Sequence, residues 1–161
     1  MVGNLSAFEV IVRRARHHTE ARDVAAERTH AFAERNIHEK VSAVAIDLFD
    51  NGHYSQATFE AFKYVDKAIQ YRAGSSESGF KLMMSALGGA SPAVAITPNI
   101  TVSDQDEQKG YQFLFAGSVL GIRNPRGHEY GLKDSVDQCL DHLSLASLLI
   151  RRLEEAGHNV T

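Results

Sequence analysis

The sequence predicts an all-α protein, and three observations carry that prediction. Apolar residues recur at helical spacing in several segments, and helix-capping or helix-ending residues separate those segments. No segment alternates apolar and polar residues at the period of a β-strand. A chain of 161 residues is long enough to form one domain with a proper core. The expected architecture is an up-and-down helical bundle.

The first predicted helix begins at Ser6 and continues to about Arg35. Ser6 and Glu9 have the spacing of a capping box, and the segment is rich in Ala, Arg and Glu. Because its apolar stripe is thin, this helix needs support from another surface. The basic cluster from Arg13 to His18 is interpreted as a solvated face in preference to an RNA contact.

Five further helices are predicted from apolar periodicity and from capping or breaking residues. They cover approximately residues 37–49, 54–71, 80–87, 103–122 and 134–153. Asp50-Asn51-Gly52 ends the first of them, Asp134 is predicted to cap the last, and residues 90–102 are predicted to be irregular. The predicted organisation is therefore an N-terminal helical extension over 1–35, a helical domain over 36–157 and a tail over 158–161.

Composition narrows the function classes. A formal net charge of -3 does not indicate a general nucleic-acid binder, so any such role must rest on a local basic patch. The single Cys139 is incompatible with an internal disulfide framework and is predicted to be a core residue of a cytoplasmic protein. No apolar run approaches the ~20 residues that span a bilayer, and no signal peptide is recognised. The His and acidic residues do not form a metal-binding pattern, so neither a metal nor a cofactor is expected.

The main candidate site lies in the stretch Gly121 to Tyr130. Pro125 disfavours a helical conformation at Asn124, so the preceding helix is predicted to stop there. Arg123 can bind phosphate oxygens through its planar guanidinium, and His128 can transfer protons near neutral pH. Together they are suited to metal-free cleavage of RNA by its 2′-hydroxyl, with Asn124 orienting either group.

The Arg-x4-His spacing is weak evidence by itself. Arg13 and His18 show the same spacing inside the first predicted helix, where their side chains would point about 140° apart. The alternative interpretation is that Arg123 is a surface residue and that His128 caps a helix.

Several ordered motifs resemble the Ymh-type family of HEPN proteins over roughly residues 37–156. Residues 1–35 lie outside this resemblance. The motifs are Leu48-Phe49, Gly52-His53-Tyr54, Ala57, Phe59, Ala61, Gly79, Leu82-Met83, Glu107-Gln108-Lys109-Gly110, Gly117, Gly121-Ile122-Arg123-Asn124-Pro125, His128-Glu129, Leu143, Ser147 and Leu148.

The resemblance implies a HEPN-type bundle of about four to five core helices and a metal-independent endoribonuclease site. Carried over residue by residue, that site is Arg123, Asn124 and His128. The resemblance also implies a homodimer with two such motifs facing each other, and a role in phage defence, a toxin–antitoxin pair or RNA processing. Tyr130 resembles the tyrosine that a partner nucleotidyltransferase modifies in HEPN toxins.

The leading expectation is therefore a homodimeric endoribonuclease, with Arg126 and Lys133 holding flanking phosphates of the RNA. Two alternatives remain open. One is a non-catalytic helical module that binds RNA or a partner protein, and the other is a structural dimer within a larger defence assembly. A catalytic role requires Arg123 and His128 to converge in space.

Overall fold

The computed structural model describes residues 9–12 and 29–160. The chain divides into two compact units, Met1–His30 and Ala31–Thr161. In the first unit residues 9–12 are helical, as predicted, whereas the predicted capping residue Ser6 and the cluster from Arg13 to His18 lie outside the described residues. Residues 29 and 30 are not helical, so the prediction of one continuous helix to Arg35 is wrong at that point.

All regular secondary structure within residues 31–160 is helical, and these residues contain no β-strand. The all-α prediction is confirmed. None of the helices in the described residues is long and apolar enough to cross a membrane. The elements are α1 (Ala31–Glu34), α2 (Glu39–Asp50), α3 (Tyr54–Ala73), α4 (Gly79–Ala86), α5 (Val102–Ser118), a π-helical segment (Val119–Arg123), α6 (Asn124–His128) and α7 (Val136–Glu155).

Helix α3 lies at the centre of the bundle and packs against α2, α4, α6, α7 and the π-helical segment. Its buried residues recur at helical spacing along one broad face, as expected for a helix with neighbours on several sides. Burying one large apolar side chain contributes about 1.5–3 kcal/mol, so the core drives the assembly. The largest fully buried side chains include Phe62, Ile69, Leu82, Phe115, Leu143, Leu149 and Leu153.

The helical pair α2–α3 forms as predicted. Gly52 follows α2 with φ +77°, the left-handed conformation that glycine adopts without strain, and it turns the chain directly into α3. The rings of Phe49 and Tyr54 meet across this turn with centroids 5.2 Å apart. The short connection fixes the two helices as antiparallel neighbours.

Residues on either side of the predicted domain, 36–157, are packed into the bundle. Phe32 in α1 is 4% exposed and contacts Phe49 at 5.0 Å between ring centroids. The contacts place the start of the larger unit at Ala31, five residues before the predicted boundary. At the other end Val160 is buried and its carbonyl accepts a hydrogen bond from the Tyr64 hydroxyl. Val160, in the predicted tail over 158–161, is thus packed into the fold.

The irregular segment between α4 and α5 is held by one buried side chain. The Gln108 amide oxygen accepts from the Ile96 N–H at 2.6 Å, and its amide nitrogen donates to the Leu87 carbonyl at 2.8 Å. These bonds satisfy backbone groups that have no helical partner. Helix α5 starts one residue earlier than predicted, because Thr101 and Asp104 form a capping box.

The prediction that the helix stops before Pro125 is wrong. Asn124 is helical, with φ -62° and ψ -44°, and the chain passes from α5 through the π-helical segment into α6. Pro125 lies in the first turn of α6, where its missing N–H removes no helical bond that is needed. The wider π turn shifts the hydrogen-bond register, as shown by the Asn124 N–H donating to the Val119 carbonyl, and so accommodates the ring.

Candidate functional site

Arg123 ends the π-helical segment and lies in a recess between α3 and the start of α4. Its guanidinium carbon lies 5.7 Å from the centroid of the Phe59 ring, within cation–π range. A Cβ atom at Gly79 would lie 3.9 Å from Nη1 of Arg123, so the backbone of α4 forms the other wall. Asp66 accepts the Gly79 N–H at 2.7 Å and fixes that wall in place.

The guanidinium of Arg123 has unused hydrogen-bonding capacity. Nη1 donates a long bond of 3.3 Å to the Asn124 side-chain oxygen. Nε is a buried atom without a hydrogen-bond partner, the one such side-chain atom in the described residues. No carboxylate of the described residues forms an ion pair with Arg123. Buried polar groups are normally satisfied, so an unpaired cation here indicates capacity for an anionic ligand.

His128 is the last residue of α6 and its side chain is exposed. Its ring has no hydrogen-bond or ion-pair partner among the described residues. Gly127 beside it faces α3, where a Cβ atom would come within 3.0 Å of the Phe59 ring. Phe59 therefore supports the segment on both sides, beneath Arg123 and beneath Gly127, while His128 points to solvent.

Arg123 and His128 do not converge within one copy of the chain. Residues 124–128 are α-helical, and five residues of α-helix rotate the side-chain direction by about 140°. Arg123 accordingly points towards Phe59 and Gly79, whereas His128 points away from the bundle. The structure brings Arg123 together with Asn124 and leaves His128 on another side of the same helical segment.

Arg126 is held by a buried ion pair with Asp134. Its Nε donates to Oδ2 at 2.8 Å and its Nη2 donates to Oδ1, which is the bidentate arrangement that arginine and carboxylate favour. Nη1 donates to the Ile122 carbonyl at 2.7 Å, in the last turn before Arg123. The two side chains are 8% and 3% exposed. These contacts do not support a role for Arg126 in binding phosphate, and that role stays a prediction.

The sequence predicted that Asp134 caps α7, and this prediction is wrong. Ser135 is the N-cap, in a capping box with Gln138. Asp134 lies instead in the buried network, where it also accepts the Thr58 hydroxyl at 2.9 Å. Burial acts to raise the pKa of Asp134, but the hydrogen bonds from Arg126 and Thr58 outweigh it, so that pKa lies below its usual range. The network ties α6 to α3 and to the start of α7.

His142 in α7 closes the same network. Its Nδ1 lies 3.3 Å from Nη2 of Arg126 and 3.7 Å from Asp134. Burial, and then the nearby charge of Arg126, lower the pKa of His142 below its ordinary value, although Asp134 and Asp141 oppose them. The folded protein therefore favours the neutral imidazole.

We expect His142 to make the protein less stable in mild acid. Below the ordinary histidine pKa of about 6.5, His142 binds a proton in the unfolded chain more readily than in the folded chain. The free energy of unfolding therefore decreases as the pH falls. The depressed pKa of Asp134 keeps its contribution intact in this window. Melting temperatures of wild type and His142→Asn should differ more at about pH 5.5 than at about pH 7.5, with the variant falling less steeply. His53→Asn, at an exposed position, is the control and should follow wild type; equal slopes for His142→Asn would contradict this role.

Lys133 and Tyr130 lie in the connection after α6. Lys133 is exposed and lines a surface cavity of about 550 Å³, together with His53 and Ser55 at the start of α3 and with Arg126 and Asp134. Tyr130 is fully exposed, at 104% of its reference area. Both positions are accessible, and the phosphate contact of Lys133 and the modification of Tyr130 stay predictions. The described residues contain no cluster of three or more His, Cys, Asp or Glu that could hold a metal ion.

The sequence interpretation missed the supporting residues of this site. Phe59 appeared there as a motif position and Asp134 as a helix cap, and neither Thr58 nor His142 was considered. Spacing along the chain could not have found them, because Thr58 and Asp134 are 76 residues apart and meet through tertiary packing.

Comparison with known proteins gives one match. A family model described as a protein of unknown function (Hypoth_ymh) matches residues 35–153. This range contains α2 to α6, including Arg123 and His128, and most of α7. No curated protein and no solved structure matches the chain. Because the model covers well over half of the sequence, the chain belongs to the Hypoth_ymh family.

Proposed function

We propose that the protein is a metal-independent endoribonuclease of the HEPN type that acts as a homodimer. One observation carries this proposal: the guanidinium of Arg123 is recessed, bears no paired carboxylate in the described residues and has a buried Nε without a partner. Arg126, three positions later, shows the contrast, because its charge is fully used by Asp134. A cation kept unpaired fits a site that takes up a phosphodiester.

The proposed reaction uses the RNA's own 2′-hydroxyl as the nucleophile. A histidine removes its proton, the oxygen attacks phosphorus, and the bond to the 5′-oxygen breaks as that oxygen takes up a proton. The products are a 2′,3′-cyclic phosphate and a 5′-hydroxyl. Arg123 stabilises the charge that develops on the phosphate oxygens, and Asn124, which accepts a bond from Arg123, orients it.

A dimer supplies what one copy lacks. A single copy presents Arg123 and His128 on different sides of one helical segment, whereas in a dimer Arg123 of one copy can face His128 of the other copy across one phosphate, with that histidine acting first as base and then, once protonated, as acid. The proposal includes a cytoplasmic setting in phage defence or a toxin–antitoxin pair. The alternative function is a non-catalytic helical module that binds RNA or a protein and dimerises, and the divergence of Arg123 and His128 within a copy is the observation that favours it.

Cleavage of a varied set of single-stranded and hairpin RNAs in excess chelator tests the proposal. Wild type should give cyclic-phosphate ends, and His128→Ala should lower the rate by about 10²- to 10⁴-fold, the usual contribution of a general acid or base. Arg123→Ala should cost a similar amount, about 10²- to 10³-fold, by removing charge stabilisation. Product ends are identified by mass spectrometry.

Arg72→Ala is the matched control for Arg123→Ala, since it replaces an exposed arginine elsewhere on the bundle. It should cleave like wild type. Cleavage that persists in His128→Ala and Arg123→Ala would come from another site or a contaminant and would rule out the proposed one. Tight RNA or protein binding by a wild type that cleaves nothing would favour the binding module.

A further inference from the structure

A surface cavity of about 550 Å³ lies between the start of α3 and the connection from α6 to α7. We call it the α3 cavity, and it is lined by residues 52–56 on one side, by residues 132–134 on the other and by Arg126. Sites for small molecules usually have volumes of about 300–1,000 Å³. The α3 cavity therefore has room for a ligand of the size of one nucleotide.

Ser55 connects the two sides of the α3 cavity. Its hydroxyl donates to the Leu132 carbonyl at 2.9 Å and accepts the Asp134 N–H at 2.7 Å. One turn later in α3, the Thr58 hydroxyl donates to the Asp134 carboxylate at 2.9 Å. Because these bonds already fix the connection against α3, a ligand that binds between them has little of the protein to order.

The charges around the α3 cavity leave a net positive balance. Of the described residues that line it, Asp134 is the one acidic residue, and its charge is matched by Arg126. Glu60 lies beside the cavity through a bond from the Gln56 amide but pairs with Lys63 at 3.0 Å. Lys133 is exposed and forms no ion pair with the described residues. In a chain with a formal net charge of -3, this cavity favours an anionic ligand.

Two donors besides Lys133 belong to the lining and have no partner among the described residues. The imidazole of His53 forms no hydrogen bond, although its backbone N–H donates to the Leu48 carbonyl at 2.8 Å and holds the residue in place. The Tyr54 hydroxyl is likewise unbonded, while its ring packs against Phe49. An imidazole, a phenol and an ammonium group are all able to donate to phosphate and ribose oxygens.

The α3 cavity is adjacent to the recess that contains Arg123. Arg123 and Arg126 are three positions apart, so their directions on the helical segment differ by only about 60°. Both face α3, since Arg123 lies 5.7 Å from the Phe59 ring and Arg126 lines the cavity. His53 precedes Phe59 by six residues, about 9 Å along the helix axis. A single strand bound at Arg123 therefore reaches the cavity within one or two nucleotides.

We propose that the α3 cavity binds one nucleotide of a single-stranded RNA, one or two positions away from the phosphate at Arg123. His53, Tyr54 and Lys133 donate hydrogen bonds to the phosphate and ribose of that nucleotide. The sequence predicted a phosphate contact for Lys133 alone, and the cavity adds the two neighbouring donors and a place for the whole nucleotide. The proposal rests on the proposed function for its RNA substrate.

Binding of an RNA that cannot be cleaved tests the α3 cavity independently of catalysis. The probe is a fluorescent single strand of about 12 nucleotides with every 2′-hydroxyl methylated, and its anisotropy is measured from about 50 to 200 mM salt. Lys133→Ala should lower the slope of log affinity against log salt by about 0.7, the contribution of one phosphate on a single strand. Lys109→Ala, which replaces an exposed lysine of α5 without an ion pair in the described residues, is the matched control and should keep the wild-type slope.

Two further variants test the cavity itself. His53→Ala should weaken binding by about 10-fold, as expected for a lost hydrogen bond to a charged group. Gln56→Trp places a large ring at the lining and should weaken binding by excluding the nucleotide. Adding Lys133→Ala to Gln56→Trp should then cost nothing more, because both changes remove the same contact. Circular dichroism should show wild-type helix content and melting temperature in every variant.

Several results would overturn the proposal. Equal salt slopes for wild type and Lys133→Ala would do so, as would a His53→Ala variant that binds like wild type. A wild type that does not bind the probe at about 100 µM would also overturn it. Adenosine monophosphate that competes with the probe as strongly as an unlabelled copy of the RNA would assign the cavity to a free nucleotide instead, and this too rejects the RNA site.

These outcomes are separate from the failure of the nuclease proposal. Binding that depends on His53 and Lys133, in a protein that cleaves no RNA, supports the α3 cavity and removes the enzyme. Cleavage that depends on Arg123 and His128, in a protein whose RNA binding is unchanged by His53→Ala and Lys133→Ala, supports the enzyme and removes the α3 cavity.

Discussion

Asp134→Ala is expected to lower the free energy of unfolding by about 3–5 kcal/mol, because it leaves a buried guanidinium without its counter-charge. The Arg126 side chain is 8% exposed, and both of its bonds to the carboxylate would be lost. The Thr58 hydroxyl would lose its acceptor as well. Urea unfolding followed by circular dichroism measures the change, as a lower midpoint at an unchanged slope.

Asp141→Ala is the control for the loss of one carboxylate from an arginine pair. Asp141 pairs with Arg35 at 2.9 Å, but the two side chains are 69% and 44% exposed. Exposed pairs contribute only about 0–1 kcal/mol, so this variant should unfold close to wild type. Similar costs for Asp134→Ala and Asp141→Ala would show that water already compensates the charge of Arg126.

The double variant Arg126→Met with Asp134→Leu separates the charge from the packing. Removing both charges together avoids the uncompensated guanidinium, so the double variant should be more stable than Asp134→Ala. It should nevertheless lose RNA cleavage, if the chain cleaves RNA, because Arg126 also holds the Ile122 carbonyl and thereby the turn that carries Arg123. If Arg126 positions Arg123, the double variant thus loses activity even where its stability is kept.

Local signals in the sequence were sufficient for much of the bundle. The apolar repeats of α2 and α3 and the left-handed Gly52 between them give two antiparallel helices, and both are present. These features are local, because periodicity and turn conformation depend on residues a few positions apart. Gly157 follows α7 with φ +82°, a turn conformation that is local in the same way.

The errors arose where distant contacts decide the local structure. Pro125 is a strong local signal for a break, yet the π turn before it keeps the chain helical. Asp134 has the residue type of a helix cap, yet the buried Arg126 outcompetes that role and Ser135 takes it. The cap at Ser135 is itself a local signal, since Ser135 and Gln138 have capping-box spacing, whereas the role of Asp134 depends on how α6 packs on α3.

The candidate site shows the same division. The sequence located the segment with Arg123 and His128, and the structure adds that their side chains diverge and that Phe59 packs against Arg123 and Gly127. It also distinguishes two arginines for which the sequence predicted phosphate contacts: Arg126 is bound inside the fold, and Arg123 is unpaired among the described residues. Under the proposed function, the catalytic site is therefore assembled from two copies.

Mixed dimers are expected to recover activity that neither parent variant has. Chains with Arg123→Ala and chains with His128→Ala are co-expressed with different tags, and their mixed dimers are purified through both tags. In each mixed dimer the Arg123→Ala chain keeps His128 and the His128→Ala chain keeps Arg123. If each site takes its arginine from one copy and its histidine from the other, one site of every such mixed dimer carries both wild-type residues and the other carries neither.

The tagged mixed dimer should therefore cleave RNA at about half the wild-type rate, and an untagged random mixture at about a quarter, because half of its dimers are mixed. Mixing Arg123→Ala with Asn124→Ala is the control: both residues lie in the same recess of one copy, so this mixture should gain nothing. A mixed dimer of Arg123→Ala and His128→Ala that stays as inactive as its parents would mean that each site uses Arg123 and His128 of a single copy. The segment would then have to rotate by more than a quarter turn on binding RNA, against the anchors that Phe59 and Asp134 provide.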